Sequence, residues 1–239
     1  MPGRNNLCVN YFHATALINK KINYSIEVES YKSESTVNLK LNRNALESSF
    51  SGTVILLHGF RVSKEFMLSS ALYFRFLGFD VVIPDLLGHG ESGGKKAFGV
   101  GDSEIVNALV DNLIQKSIIK KDNLYFLGHS MGALTTARIS ASRQDISGLI
   151  PEKNFREGAT RALEKVNIYL DDTRIKALLI SSNSPTLLFL SSSDPIAPYS
   201  EFKDLTDSNI NLVLLRERNH PSMGVIGKNE YELLVNWLN

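Results

Sequence analysis

The chain has 239 residues, 43 % of them hydrophobic and 21 % charged, which excludes a disordered or low-complexity polymer and allows a sizeable core without a metal or disulfide. Lys plus Arg number 26 and Asp plus Glu 25, a formal net charge of +1, so no global field draws the chain to nucleic acid or to an anionic membrane. Cys8 is the only cysteine, which excludes an intrachain disulfide and a multi-cysteine zinc site.

In the first 50 residues Ile22, Tyr24, Ile26 and Val28 alternate with polar neighbours, and Val37, Leu39 and Leu41 do the same. Period-2 alternation predicts half-buried antiparallel strands at a sheet edge. From residue 53 the pattern changes to Thr-Val-Ile-Leu-Leu, a continuous apolar run expected of a strand buried on both faces of a parallel sheet. A helix carrying Phe66, Ala71, Leu72, Phe74, Phe76 and Leu77 follows, closed by Gly78. A second strand covers 79–83 and stops at Pro84. Asp102 is placed to cap a helix with apolar positions Ile105, Val106, Leu109, Val110, Leu113 and Ile114. Residues 124–127 form a third strand and 133–141 a third helix.

Strand and helix in strict alternation predict an α/β protein with a doubly wound, mostly parallel sheet and right-handed crossovers. The segment 144–184 interrupts the alternation. It holds a weak strand near 146–150, containing Gly148, and amphipathic helices at 155–170 and 173–181. It reads as a small helical cap inserted into one domain spanning 1–239. Alternation resumes with a strand at 186–190, a short helix near 199–207, a strand at 211–215 and a last helix at 230–238.

Gly128-His129-Ser130-Met131-Gly132 is a G-x-S-x-G pentapeptide between a predicted strand and a predicted helix. That setting suits a nucleophile elbow, a tight turn in which glycines two before and two after the serine remove clashing Cβ atoms. A serine hydroxyl needs a base and an orienting carboxylate, which in such folds follow in the order acid, then histidine. His220 is the only histidine after Ser130. Asp194, directly after the 186–190 strand, fits the acid. Its rivals Asp171, Asp172, Asp204 and Asp207 sit on predicted helices or their ends, and Asp145 follows the nucleophile helix. Backbone N–H groups of Met131 and of Phe60, in the His58-Gly59-Phe60 loop, are positioned as an oxyanion hole. His58 is expected to shape that loop, His89 to serve a structural or pocket-rim role, and His129 to pack or touch substrate. Lys95-Lys96 and Lys120-Lys121 read as solvated.

On these residues, and on Asp85-Leu86-Leu87-Gly88-His89-Gly90-Glu91-Ser92, the chain resembles α/β-hydrolases of the monoacylglycerol-lipase and serine-aminopeptidase type from about residue 50 onward. The resemblance implies Ser130 as nucleophile, Asp194 as acid, His220 as base, and Phe60 and Met131 as oxyanion donors. Ser191 and Arg218-Asn219 stand where family members often have glycine. The implied activity is acyl transfer on an ester or related carbonyl, in the manner of a carboxylesterase or monoacylglycerol lipase, with a small-molecule acyl ester as substrate. The same triad also serves thioesterases, aminopeptidases and C–C bond hydrolases, and a low-turnover binding or sensing protein is the competing class. No cofactor, metal or nucleic-acid site has the required spacing. No apolar run approaches the ~20 residues of a membrane span, and no signal-type segment opens the chain, so the cytoplasm is the expected compartment. Monomer or homodimer is left open.

Overall fold

The computed structural model describes residues 7–17, 23–31, 34–42, 50–152, 175–194, 199–205, 209–216, 218 and 228–239. Nine strands are formed among them: β1 (Tyr11–Ala14), β2 (Asn23–Tyr31), β3 (Glu34–Asn42), β4 (Thr53–Leu57), β5 (Asp80–Pro84), β6 (Leu124–His129), β7 (Gly148–Glu152), β8 (Thr186–Ser191) and β9 (Ile210–Leu215). The helices are α1 (Leu68–Leu77), α2 (Asp102–Gln115), α3 (Met131–Ser142), α4 (Ile175–Ser181) and α5 (Lys228–Leu238). Seven strands make one sheet in the order β1-β5-β4-β6-β7-β8-β9, parallel except for β1, which runs antiparallel to β5.

The apolar run Thr53–Leu57 is fully buried and feeds both faces of the sheet. Val54 and Leu56 pack with Ala71, Tyr73, Phe74 and Leu77 of α1 and Leu234 of α5. Ile55 and Leu57 pack with Val106, Val110 and Leu113 of α2, Ala133 and Ala137 of α3, and Ile175 and Leu179 of α4. Side chains alternate across a strand, so a strand between two helical layers must be apolar at every position. The parallel α/β expectation therefore holds, and Gly78 ends α1 with φ 104°, the left-handed conformation glycine adopts freely.

The N-terminal expectation is corrected. Among the described residues β2 and β3 pair only with each other, as a two-stranded antiparallel sheet, and the edge of the large sheet is taken by Tyr11–Ala14. Two strands separated by two residues close on each other locally, ahead of any distant edge. Two further corrections are local. Asp102 is the first residue of α2 rather than its cap; Gly101 precedes the helix, and the Asp102 carboxylate accepts N–H bonds from Leu87 and Gly99 at 2.8 Å each. Of the short helix expected near 199–207, the described residues form a 3-10 turn at Tyr199–Glu201. Of the 144–184 segment, Gly148–Glu152 is a strand inside the sheet and α4 lies beside α3, while the expected helix at 155–170 lies outside the described residues. No helix among the described residues is long and apolar enough to cross a membrane.

Candidate active site

Parallel strands deliver their carboxyl ends to one edge of the sheet. The β4–β6 register pairs Leu57 with Gly128, which brings the residues just beyond each strand alongside one another. Ser130 stands between β6 and α3 with φ 53° and ψ −114°, neither helical nor extended. A Cβ added to Gly128 would lie 2.2 Å from the Gly132 carbonyl oxygen, and one added to Gly132 would lie 2.2 Å from that of Leu57. The turn thus closes only because both flanking positions lack a side chain, as the sequence reading expected of an elbow. Ser130 is 6 % exposed, and Met131 begins α3 fully buried, so the serine stands at the positive end of a helix dipole.

Gly59 meets the elbow directly: a Cβ there would be 3.3 Å from Ser130 Cβ and 3.0 Å from His129 Cδ2. The loop is fixed by His58, wholly buried, whose Nε2 accepts the Leu86 N–H at 3.0 Å while Nδ1 donates to the Gly59 carbonyl at 2.7 Å. Burial pushes the His58 pKa down to about 4, so the ring is neutral and bolts the loop after β4 to the loop after β5. His89, also buried, bonds the Leu87 carbonyl through Nδ1 at 2.9 Å and stands edge-on to His58 and Phe60. Its pKa is lowered by burial and further by the charge of Lys96. The ring of His129 packs on Phe66 at 5.1 Å.

The Asp-x-x-Gly-His-Gly-x-Ser segment has a structural account that its sequence did not reveal. The Asp85 carboxylate accepts the Lys64 N–H at 2.8 Å, the Glu91 N–H at 3.0 Å and the Lys64 ammonium at 2.7 Å. Ser92 Oγ donates to the Asp85 carbonyl at 2.8 Å and accepts the Asn10 N–H at 2.8 Å, tying the loop to the chain before β1. Lys64 is 1 % exposed. Burial alone would lower its pKa, but the bonds to Asp85 and Glu91 outweigh that and hold it above the usual lysine range.

Asp194 lies just past β8, 1 % exposed. The β6–β7 and β7–β8 registers set Phe189 level with His129, so Asp194 follows a strand that ends at the same sheet edge, two strands away. Of its rivals, Asp145 is held by the Arg143 guanidinium at 2.8 Å ahead of β7, at the opposite edge, and Asp204 is exposed. Asp171, Asp172 and Asp207 lie outside the described residues, as does His220. Arg218, two residues before His220, is anchored. Ser191 Oγ donates to the Arg218 carbonyl at 2.7 Å and accepts the Ser193 N–H at 3.1 Å, while the Arg218 guanidinium bonds Glu230 of α5 at 2.8 Å. Ser191 thus joins the loop that carries Asp194 to the chain two residues before His220.

Sequence reasoning missed Lys64, because a lysine at a helix start ordinarily reads as solvated. It also missed the grouping of Arg61, Lys96 and Phe98 around Phe60. Five described residues other than glycine have positive φ, and three of them, Arg61 (64°), Phe98 (52°) and Ser130 (53°), belong to this edge. Such strain collects at functional sites.

Residues 48–152 match the model of a hydrolase family described as serine aminopeptidase, S33. No curated protein sequence matches the chain. Solved structures do. Est1E of Butyrivibrio proteoclasticus, with ferulic acid bound, is 16 % identical, with TM-score 0.66 over 97 % of this chain and 93 % of that one. An alpha-beta serine hydrolase homologue from Coxiella burnetii is 18 % identical, with TM-score 0.65 over 100 % and 99 %. A monoacylglycerol lipase from Paleococcus ferrophilus is 18 % identical, with TM-score 0.63 over 78 % and 93 %. At these identities the likeness is one of fold.

Proposed function

We propose, for a chain that has the α/β-hydrolase fold, that it is a serine hydrolase cleaving a carboxylic ester or related acyl bond through Ser130, Asp194 and His220. The observation that carries this reading is the backbone of Ser130, held at φ 53° between two glycines whose Cβ positions are filled by carbonyl oxygens. A non-glycine residue in such a conformation costs of order 1–3 kcal/mol, and strain of that size collects at functional sites.

In the proposed reaction the Ser130 hydroxyl attacks the substrate carbonyl carbon as its proton passes to His220, which Asp194 holds in the receptive tautomer. The N–H groups of Phe60 and Met131 receive the oxyanion; one such donor is worth about 3–4 kcal/mol in comparable sites. His220 then protonates the leaving group, and water activated by the same imidazole releases the acid from Ser130. A fluorophosphonate probe should label the wild-type chain, and Ser130→Ala should abolish both labelling and hydrolysis of p-nitrophenyl esters; undiminished labelling of the variant would sink the assignment.

The family model that matches residues 48–152 supports a second reading, release of an N-terminal amino acid. A panel of p-nitrophenyl esters of graded chain length, acyl-CoA thioesters, β-diketones and aminoacyl anilides separates esterase from thioesterase, C–C hydrolase and aminopeptidase. Stoichiometric acylation of Ser130 without release would instead identify a binding or sensing protein.

A further inference from the structure

Phe60, whose backbone is one proposed oxyanion donor, carries two cations on its ring: Lys96 Nζ at 5.0 Å from the ring centre and Arg61 Cζ at 5.5 Å. Phe98 stacks on the same ring at 5.2 Å, and His89 stands edge-on at 5.8 Å. Arg61 leaves a backbone at φ 64°, and the Lys96 backbone nitrogen lies 2.7 Å from where a Cβ on Gly88 would be, so the loop packs directly on Gly88. Gly99, one residue after Phe98, abuts α3: a Cβ on it would lie 2.9 Å from the Met131 carbonyl oxygen. The two rings therefore bridge the loops beside both proposed oxyanion donors, and the cations sit on the residue next to Gly59, whose added Cβ would be 3.3 Å from Ser130 Cβ.

Among the described residues neither Arg61 nor Lys96 has a carboxylate partner, whereas buried Lys64, a few residues away, has Asp85 and Glu91. Two like charges gathered on one ring repel, and contact with a ring face returns only ~0.5–1 kcal/mol at an exposed site. An anion bound beside them would offset that repulsion and form charge-assisted hydrogen bonds. Resting on the function proposed above, we infer that Arg61 and Lys96 form a subsite for a negatively charged group of the substrate, so that the preferred ester or related acyl compound carries a carboxylate, sulfate or phosphate within reach of the Phe60 ring.

Two matched pairs test this on either side of the scissile bond: mono-p-nitrophenyl glutarate against p-nitrophenyl valerate, and 4-acetoxybenzoate against its methyl ester. The wild-type chain should favour the anionic member of at least one pair by about tenfold in kcat/KM at low salt, a preference that shrinks as salt screens the subsite. The Arg61→Gln/Lys96→Gln double variant should fall to near parity while its turnover of the neutral ester stays within about twofold of wild type, and Lys96→Glu should reverse the preference. Parity in both pairs with brisk turnover of the neutral esters would overturn the subsite and leave the hydrolase standing. A preference that survives in the double variant would overturn these two residues as its source. Failure of all four esters to acylate Ser130 would overturn the proposed function, and the subsite with it.

Discussion

Gly132 has no room for a side chain. An added Cβ would lie 2.2 Å from the Leu57 carbonyl oxygen and 2.8 Å from that of His58, backbone atoms at the end of a central strand and just past it. Gly132→Ala should therefore cost about 2–3 kcal/mol, since overpacking against rigid backbone cannot relax as a cavity partly can. The check is the midpoint of urea unfolding, and an unmoved midpoint would show that α3 can shift without cost. The two glycines and the serine were legible in the sequence because the constraint is local: five consecutive residues contain the whole turn. Ser191 was not. Its hydroxyl matters because Arg218, 27 residues on, presents a carbonyl 2.7 Å away, a partner that only the pairing of β8 with β9 supplies.

At the scale of elements, the loops after β4 and β5 are held together by polar groups as well as by the ring contacts of His89 with His58 and Phe60. Lys64, in the 3-10 turn Lys64–Met67 that leads into α1, reaches Asp85 just beyond β5, and His58 accepts the N–H of Leu86 next to it. Asp102 at the start of α2 takes the N–H of Leu87, so three elements fix one loop. Removing one member of a buried ion pair leaves the other charged and desolvated. Lys64→Met should thus lower stability by about 3–5 kcal/mol even though it replaces a cation with an apolar side chain of similar length. A loss below about 1 kcal/mol in chemical denaturation would show that backbone N–H bonds alone satisfy Asp85. Element types were readable along the chain where apolar runs and helical periodicity are long. β7 was faint for a tertiary reason. Gly148 opens it because the Trp237 ring of α5 occupies the place of its side chain, 2.4 Å from an added Cβ.

For the molecule as a whole, the buried histidines link folding to pH. His58 has its pKa lowered to about 4 by burial, so between pH 6.5 and 4 the unfolded chain binds a proton that the folded chain refuses. Its contribution to stability is complete above about pH 6.5, declines as pH falls and is gone near pH 4; at pH 5 the loss is about 2 kcal/mol. His89, lowered in the same direction by burial, adds to it. Urea midpoints measured at pH 7.5 and pH 5 should fall for the wild-type chain and change less for His58→Gln. Equal falls in the two proteins would place the acid sensitivity elsewhere.

The sequence by itself determined the α/β layering and the position of the tight turn at Ser130, and it carries the proposed order of nucleophile, acid and base along the chain. Those properties reside in short runs of neighbours: apolar stretches that can be buried only on both faces, and glycines that alone fit a strained turn. Tertiary structure decided the rest. It set the antiparallel edge at Tyr11–Ala14, the burial of Lys64 against Asp85, the seating of Trp237 over Gly148 and the convergence of Arg61 and Lys96 on Phe60. Each depends on partners tens of residues apart that meet only when parallel strands align their ends, and the charge of a lysine or the absence of a side chain says nothing of its partner until they do.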